Sequence, residues 1–222
     1  MALSSYDGLK AAIGTWNFNR SGLPTDDIVT LAEARLNREL RLRVMEVEAA
    51  LVGTVGSRFI ALPSDYLDPV ALWLELSGVG RLDMTFVDPE RMPNWANQVQ
   101  PQYWTVDGSN LAFEAPVQSA YAFTLRYLQR LALATTAPAD GTQANWLLSH
   151  WPDAYLAACN VEAALWLEED DQASRWQARY ADAIAQINAK EARSRGLASL
   201  RTDLALQPQN TGGSKFNIYR GY

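Results

Sequence analysis

The order in which sequence periodicities change along the chain constrains its fold more than any other feature. Apolar residues recur every three or four positions towards both ends, whereas β-branched and aromatic runs punctuated by Gly, Pro and Asp fill the middle. The first spacing buries one face of a helix, and the second is typical of strands. The sequence therefore predicts an α+β fold with a β-rich insertion between two helical segments.

Two helices are predicted in the N-terminal segment. The first covers residues 4–17 and has a serine as its N-cap, and the sequence Ser21-Gly22-Leu23-Pro24 breaks it. The second starts with Thr25 or Asp26 as its cap and is expected to end near Met45.

The middle of the chain predicts an antiparallel sheet. Four runs have strand composition: Val47 to Leu62, Val70 to Leu76, Leu82 to Val87 and Tyr121 to Leu128. The stretch Val106 to Leu111 contains an Asp-Gly turn signal between two further short apolar runs. A hairpin is therefore expected there.

Helical spacing returns after a loop at residues 134–142 that is rich in Ala, Thr and Pro. One long helix is predicted from about Leu148 to Glu169, and Asp170 or Asp171 can cap the next helix. The two helices are expected to form an antiparallel hairpin.

These patterns divide the chain into four expected segments. Residues 1–46 and 143–196 supply helices that pack together as one bundle, residues 47–133 form the β-rich insertion, and residues 197–222 form an extended tail. The tail combines a Pro-, Gly- and Gln-containing linker with large apolar side chains that could anchor it on a partner. These anchors are Phe216, Ile218, Tyr219 and Tyr222.

The sequence offers little that could perform catalysis or bind a cofactor or metal. The one histidine, His150, follows Ser149 directly, and neighbouring helical residues point too far apart to form a nucleophile and base pair. The one cysteine, Cys159, lies more than two helical turns from that histidine and is expected in the core. The acidic run Glu168 to Asp171 is interpreted as a solvated cap, and Gly212 to Lys215 lacks the spacing of a phosphate loop.

The second helix carries a face dominated by arginine. Arg35, Arg38 and Arg41 recur at a spacing of three and could pair with an acidic neighbouring subunit or follow DNA phosphates. A third interpretation is a solvated face with internal Glu–Arg pairs. Interleaved glutamates and a net charge of −6 favour the contact between subunits over the contact with DNA.

A single cysteine allows no internal disulfide. The first ten residues do not resemble a secretion signal, and no apolar run approaches the roughly 20 residues of a membrane span. The expectation is a protein that is made in the cytoplasm.

Several stretches in the right order resemble the adaptor proteins that tailed bacteriophages, especially short-tailed ones, place between portal and tail. These stretches are Leu31 to Arg41, Ala61 to Leu67, and Asn145 to Leu148 followed by Tyr155, Ala163 and Ala164. The C-terminal helix pair with its acidic junction completes the resemblance.

The resemblance implies a structural virion protein with no catalytic site. It implies a homo-oligomeric ring, dodecameric in the family, that binds the portal above and a tail or nozzle protein below while DNA passes through the centre. In such adaptors the helices form the ring wall, the β-rich part faces tail components and the C-terminal extension reaches onto the portal.

Three other functions remain open from the sequence. The first is another neck or tail-completion protein of the virion, which would share the absence of chemistry. The second is a DNA-binding accessory protein that uses the arginine face, which the acidic net charge disfavours. The third is a cell-wall hydrolase, for which the sequence shows no convergent carboxylate pair.

Overall fold

The computed structural model describes residues 3–95, 99–132 and 141–206, and for residues 194–206 it describes only the backbone. Helices lie at both ends and strands between them, which confirms the α+β class. The helices are α1 (Tyr6–Trp16), α2 (Thr25–Glu39), α3 (Trp146–His150), α4 (Pro152–Trp166) and α5 (Asp170–Leu206). The strands are β1 (Glu46–Val52), β2 (Phe59–Ala61), β3 (Tyr66–Leu76), β4 (Gly80–Asp83), β5 (Thr85–Phe86), β6 (Tyr103–Asp107), β7 (Asn110–Phe113) and β8 (Ala122–Gln129). We call α1–α5 the helical region and β1–β8 the β region.

The two N-terminal helices start close to their predicted positions. The hydroxyl of Ser5 caps α1 by accepting a hydrogen bond from the backbone N–H of Gly8. Helix α2 ends at Glu39, six residues before the predicted end at Met45. Leu40 and Leu42 are both buried, and a spacing of two belongs to extended chain rather than to a helix.

The β region contains two sheets rather than the single antiparallel sheet that was predicted. One has the strand order β1-β8-β3-β4 and is antiparallel, and the other has the order β2-β7-β6-β5 with a parallel β5–β6 pair. The two sheets share one core, in which Phe113 of β7 stacks on Phe123 of β8 at 4.9 Å. The alternation along a strand shows which face is apolar but not which strand is its neighbour.

The predicted hairpin is confirmed by the pairing of β6 with β7. Asp107 and Asn110 face each other at its closed end, and Gly108 has a φ of 59°. That positive φ explains why glycine occupies the turn.

The single long helix predicted from Leu148 to Glu169 is wrong, because Pro152 divides it into α3 and α4. Proline has no N–H to donate within a helix, and it keeps the preceding residue out of the helical conformation. Trp151 accordingly has φ −138° and ψ 60°. His150, expected at a helix start, is therefore the last residue of α3.

Helix α4 lies at the centre of the helical region and contacts α1, α2, α3 and α5. Ten of its fifteen residues are buried, and most of these are small. Because α4 has other helices on several sides, it is apolar around most of its circumference. Its alanine and cysteine side chains let those helices approach closely.

Helix α5 continues to Leu206, beyond the predicted boundary at residue 196. One glycine, Gly196, costs a helix only about 1 kcal/mol relative to alanine. The residues around it favour a helix, and the next proline is Pro208. The predicted tail segment 197–222 therefore begins as helix.

Candidate interaction surfaces

The three arginines that were predicted on one face of α2 lie in three different environments, and Arg41 follows the end of the helix at Glu39. Arg35 points into the helical region, where its Nε lies 2.8 Å from Glu162 Oε1 and its Nη1 lies 3.1 Å from Gln177 Oε1. Only 19% of its side chain is exposed, and the guanidinium lies over the Tyr180 ring. Arg35 thus joins α2 to α4 and α5 within one copy.

Arg41 also contacts its own chain. Its Nε forms an ion pair with Asp68 of β3, and its Nη1 donates hydrogen bonds of 2.7 Å to the carbonyl oxygens of Asn37 and Leu40. Carbonyl groups at the C-terminal end of a helix lack partners within the helix, so a nearby arginine satisfies them.

Arg38 is exposed, and within the described parts of the chain it forms no hydrogen bond or ion pair. It is therefore the arginine of the three that is best placed to contact another molecule. The predicted contact between subunits through Arg35, Arg38 and Arg41 stays a prediction. The alternative of a solvated face with internal Glu–Arg pairs does not describe Arg35, which is mostly buried and pairs with Glu162 of another helix.

The predicted tail anchors Phe216, Ile218, Tyr219 and Tyr222 lie outside the described residues. The phosphate-loop-like stretch Gly212 to Lys215 lies outside them as well.

A cluster of aromatic side chains marks the end of the helical region where α1 turns into α2. We call it the aromatic end and define it as Trp16, Phe18 and Trp176. The Trp16 and Trp176 rings meet edge to face at 5.3 Å, and Trp16 is still 53% exposed. Between α1, α4 and α5 a groove of about 350 Å³ runs beside them, with Asp153 and Asp182 among its lining residues.

Phe18 is the most exposed large apolar residue of this end. It is 80% exposed and its φ is 57°, in the left-handed region that bulky residues rarely adopt. The turn is fixed by a 2.7 Å hydrogen bond from the Asn19 N–H to the Gly14 carbonyl. A strained backbone conformation of this kind persists only where the surrounding structure holds it in place, and such conformations occur often at functional positions.

Sequence reasoning found only part of the aromatic end. Helical spacing places Trp16 on the apolar face of α1, but it does not show that the Trp16 end of this face is exposed to solvent. Phe18 was missed, although an aromatic residue between two asparagines directly after a helix is a recognisable signal, since asparagine tolerates the left-handed conformation.

The cysteine, the histidine and the acidic run that the sequence analysis considered for catalysis or metal binding each have identifiable contacts or burial within the chain. Cys159 is fully buried, as expected, and burial raises the pKa of its thiol well above its usual value. His150 stacks on Trp146, and its Nδ1 lies 3.0 Å from the Trp146 carbonyl oxygen. In the acidic run, Glu169 forms an ion pair with Arg20.

Two further features concern membranes and metals. None of the helices in the described residues combines the length and apolarity needed to cross a membrane. In the same residues no three His, Cys, Asp or Glu side chains converge as metal ligands would.

Comparison with protein families then gives a match over nearly the whole described range. The model of the SU10 adaptor protein family matches residues 4–203, which include both the helical region and the β region. The chain belongs to the SU10 adaptor protein family. This confirms the resemblance to phage head-to-tail adaptors, and the SU10 adaptor is a structural protein of the virion neck. A search of curated proteins finds no match to this SU10 adaptor.

Proposed function

We propose that this SU10 adaptor is a ring subunit that joins the portal to the tail or nozzle protein around the DNA channel. The ring is homo-oligomeric and dodecameric, it is made in the host cytoplasm, and no enzyme activity or membrane contact is part of its role. The observation that carries this proposal is the family match across residues 4–203.

Within the ring, we assign the contacts between copies to the helical bundle. Arg38 is exposed on α2, and the aromatic end presents rings at a turn of fixed shape. Protein interfaces are enriched in aromatic and arginine side chains, so both features favour a contact with protein. The net charge of −6 favours passage of DNA through the lumen without specific binding.

The C-terminal tail is assigned to the portal. The last described contact between α5 and the rest of the chain is the hydrogen bond from the backbone N–H of Arg43 to the Glu191 carboxylate. Helix α5 continues for 15 residues beyond Glu191 to Leu206. At 1.5 Å per residue these residues span about 22 Å. The tail after Leu206 therefore starts well away from that contact, and Phe216, Ile218, Tyr219 and Tyr222 can reach another protein.

The test of the main proposal is assembly with the portal. The isolated chain should elute as a small species from a sizing column, since a ring of portal subunits is needed to raise its local concentration. Mixed with portal, it should co-elute and form a ring visible by electron microscopy. Failure to co-elute under any condition would contradict the adaptor role.

The tail is tested by deleting residues 207–222. The melting temperature of the isolated chain should stay nearly unchanged, whereas capture by portal should be lost. Loss of the fold, or unchanged capture, would contradict the assignment of the tail.

The surfaces are tested by replacing Arg38 with alanine and Phe18 with serine. Both changes should weaken ring formation with little effect on thermal stability, because both side chains are exposed. The matched control is Arg35→Ala, which removes an internal contact and should lower stability. If Arg38→Ala and Phe18→Ser leave assembly unchanged, these surfaces are not interfaces.

The second candidate is another neck or tail-completion protein of the virion. It is favoured if the chain binds a tail protein but not portal. DNA binding through Arg38 would appear as a gel shift that weakens with salt.

A further inference from the structure

The end of α2 is fastened to the segment that follows β8 by a pair of hydrogen bonds. Asn37 Nδ2 donates to the Leu131 carbonyl oxygen at 2.8 Å, and the Leu131 N–H donates to Asn37 Oδ1 at 2.8 Å. One amide side chain thus pairs with a backbone segment as a neighbouring strand would. This segment directly follows β8, whose end is the second point where the chain passes between the two regions.

Arg41 provides a second attachment on the same helix end. It links the carbonyls of Asn37 and Leu40 to the carboxylate of Asp68, near the start of β3. A register shift in the β3–β8 pairing adjoins Asp68. The end of α2 is thereby tied to the chain at β3 and after β8.

Further contacts between the helices and the chain around β3 and β8 are apolar. Leu128 and Leu131 are buried in the core of the helical region, and Leu67 packs against it. Apolar contacts stabilise the seam but depend little on direction. The hydrogen bonds of Asn37 and Arg41 do depend on direction, so they restrict the angle between the regions.

We infer that Asn37 and Arg41 form a clamp that sets the angle between the helical region and the β region. The role that follows rests on the proposed ring. A closed ring forms only if each copy is related to the next by the same rotation. If the angle between the helical region and the β region varied, the contacts between neighbouring copies would not have one fixed geometry. Arg41 then acts as a positioning residue within its own copy and not as a contact to the next one.

The experiment measures the angle in the isolated full-length chain. Spin labels on Ala178→Cys of α5 and Ser77→Cys after β3 report one distance between the regions by pulsed electron resonance, since both positions are exposed and the native Cys159 is buried. The double variant Asn37→Ala with Arg41→Ala should widen the distance distribution at least twofold. Each single variant should widen it less.

The matched control is Arg38→Ala, an arginine of the same helix with no clamp contact, which should leave the distribution unchanged. Arg41→Lys keeps the charge but has no planar guanidinium to bridge Asp68 and the two carbonyls, so it should resemble Arg41→Ala. Should the double variant fail to fold, the two single variants decide the question.

An unchanged distribution in the clamp variants overturns the inference, and so does equal widening in the Arg38→Ala control. The measurement needs no portal, so it remains decisive even if the wild-type chain fails to assemble. Failure of that assembly would count against the proposed ring alone.

Discussion

The helical region and the β region differ in the side chains that lie at their centres. Helix α4 is surrounded by other helices, and five of its ten buried residues are alanines, with Tyr155 and Leu156 as its large buried side chains. The core of the β region is built around Trp104, Phe113 and Phe123. The alanines of α4 let the surrounding helices approach closely, whereas two sheets about 10 Å apart leave room for large rings. The two regions should therefore respond differently to a change in side-chain size.

The largest expected effect comes from removing a ring from the β region. Phe113→Ala should lower the free energy of unfolding by about 3–5 kcal/mol, because the side chain is fully buried against Phe123. Urea unfolding measures this value. Phe59→Ala, at a half-exposed position, is the control and should change stability by less than about 0.5 kcal/mol. Equal losses at both positions would show that the core does not depend on Phe113.

The helical region should be more sensitive to added volume. Ala158→Leu should cost about 1–3 kcal/mol, since Ala158 is fully buried in α4 and its neighbours would have to move. The control is Ala178→Leu on the exposed side of α5, which should change the urea midpoint little. A stable Ala158→Leu variant would mean that α4 is less tightly enclosed than its burial indicates.

A third effect concerns alkaline pH in the β region. Burial, together with a hydrogen bond to Asp65, raises the pKa of Tyr127 from 10.0 to about 12. A raised pKa means that this contribution to stability is complete below pH 10 and is lost as the pH rises through 12. Tyr127→Phe should cost about 0.5–1.5 kcal/mol at pH 7.

The pH dependence provides the check on Tyr127. In urea titrations between pH 10 and 12, the Tyr127→Phe variant should lose less stability than the wild type. If the free energy of unfolding of the variant falls with pH as steeply as that of the wild type, the alkaline loss comes from other tyrosines. One such residue is Tyr66, because burial raises its pKa to about 12 as well.

The smallest effect is expected on the polar face of the sheet that contains β1 and β8. Arg126 forms an ion pair with Glu46 on the neighbouring strand, and its side chain is 37% exposed. Arg126→Ala should change the free energy of unfolding by no more than about 1 kcal/mol, and the change should shrink in high salt. A loss as large as that of Ala158→Leu would contradict the view that this face contributes little.

The sequence predicted most elements of the fold, because their signals are local. The serine cap of α1, the Asp-Gly hairpin and the helical spacing around Tyr155 each act within a few residues. The long helix from Leu148 was mispredicted although Pro152 was visible, since apolar spacing continues on both sides of it. The end of α2 was misplaced because Leu40 continues the apolar stripe of the helix four residues after Leu36.

The sequence by itself determined the α+β class and the place of the β insertion, and it supported the adaptor family that the family comparison confirms. The tertiary structure alone decided which of the three predicted arginines form ion pairs within the chain. Arg35, Arg38 and Arg41 have the same local spacing, but their partners Glu162 and Asp68 lie 127 and 27 positions away in the chain. A residue's partner across such distances depends on how the helices and sheets pack, and periodicity along one helix carries no information about that packing.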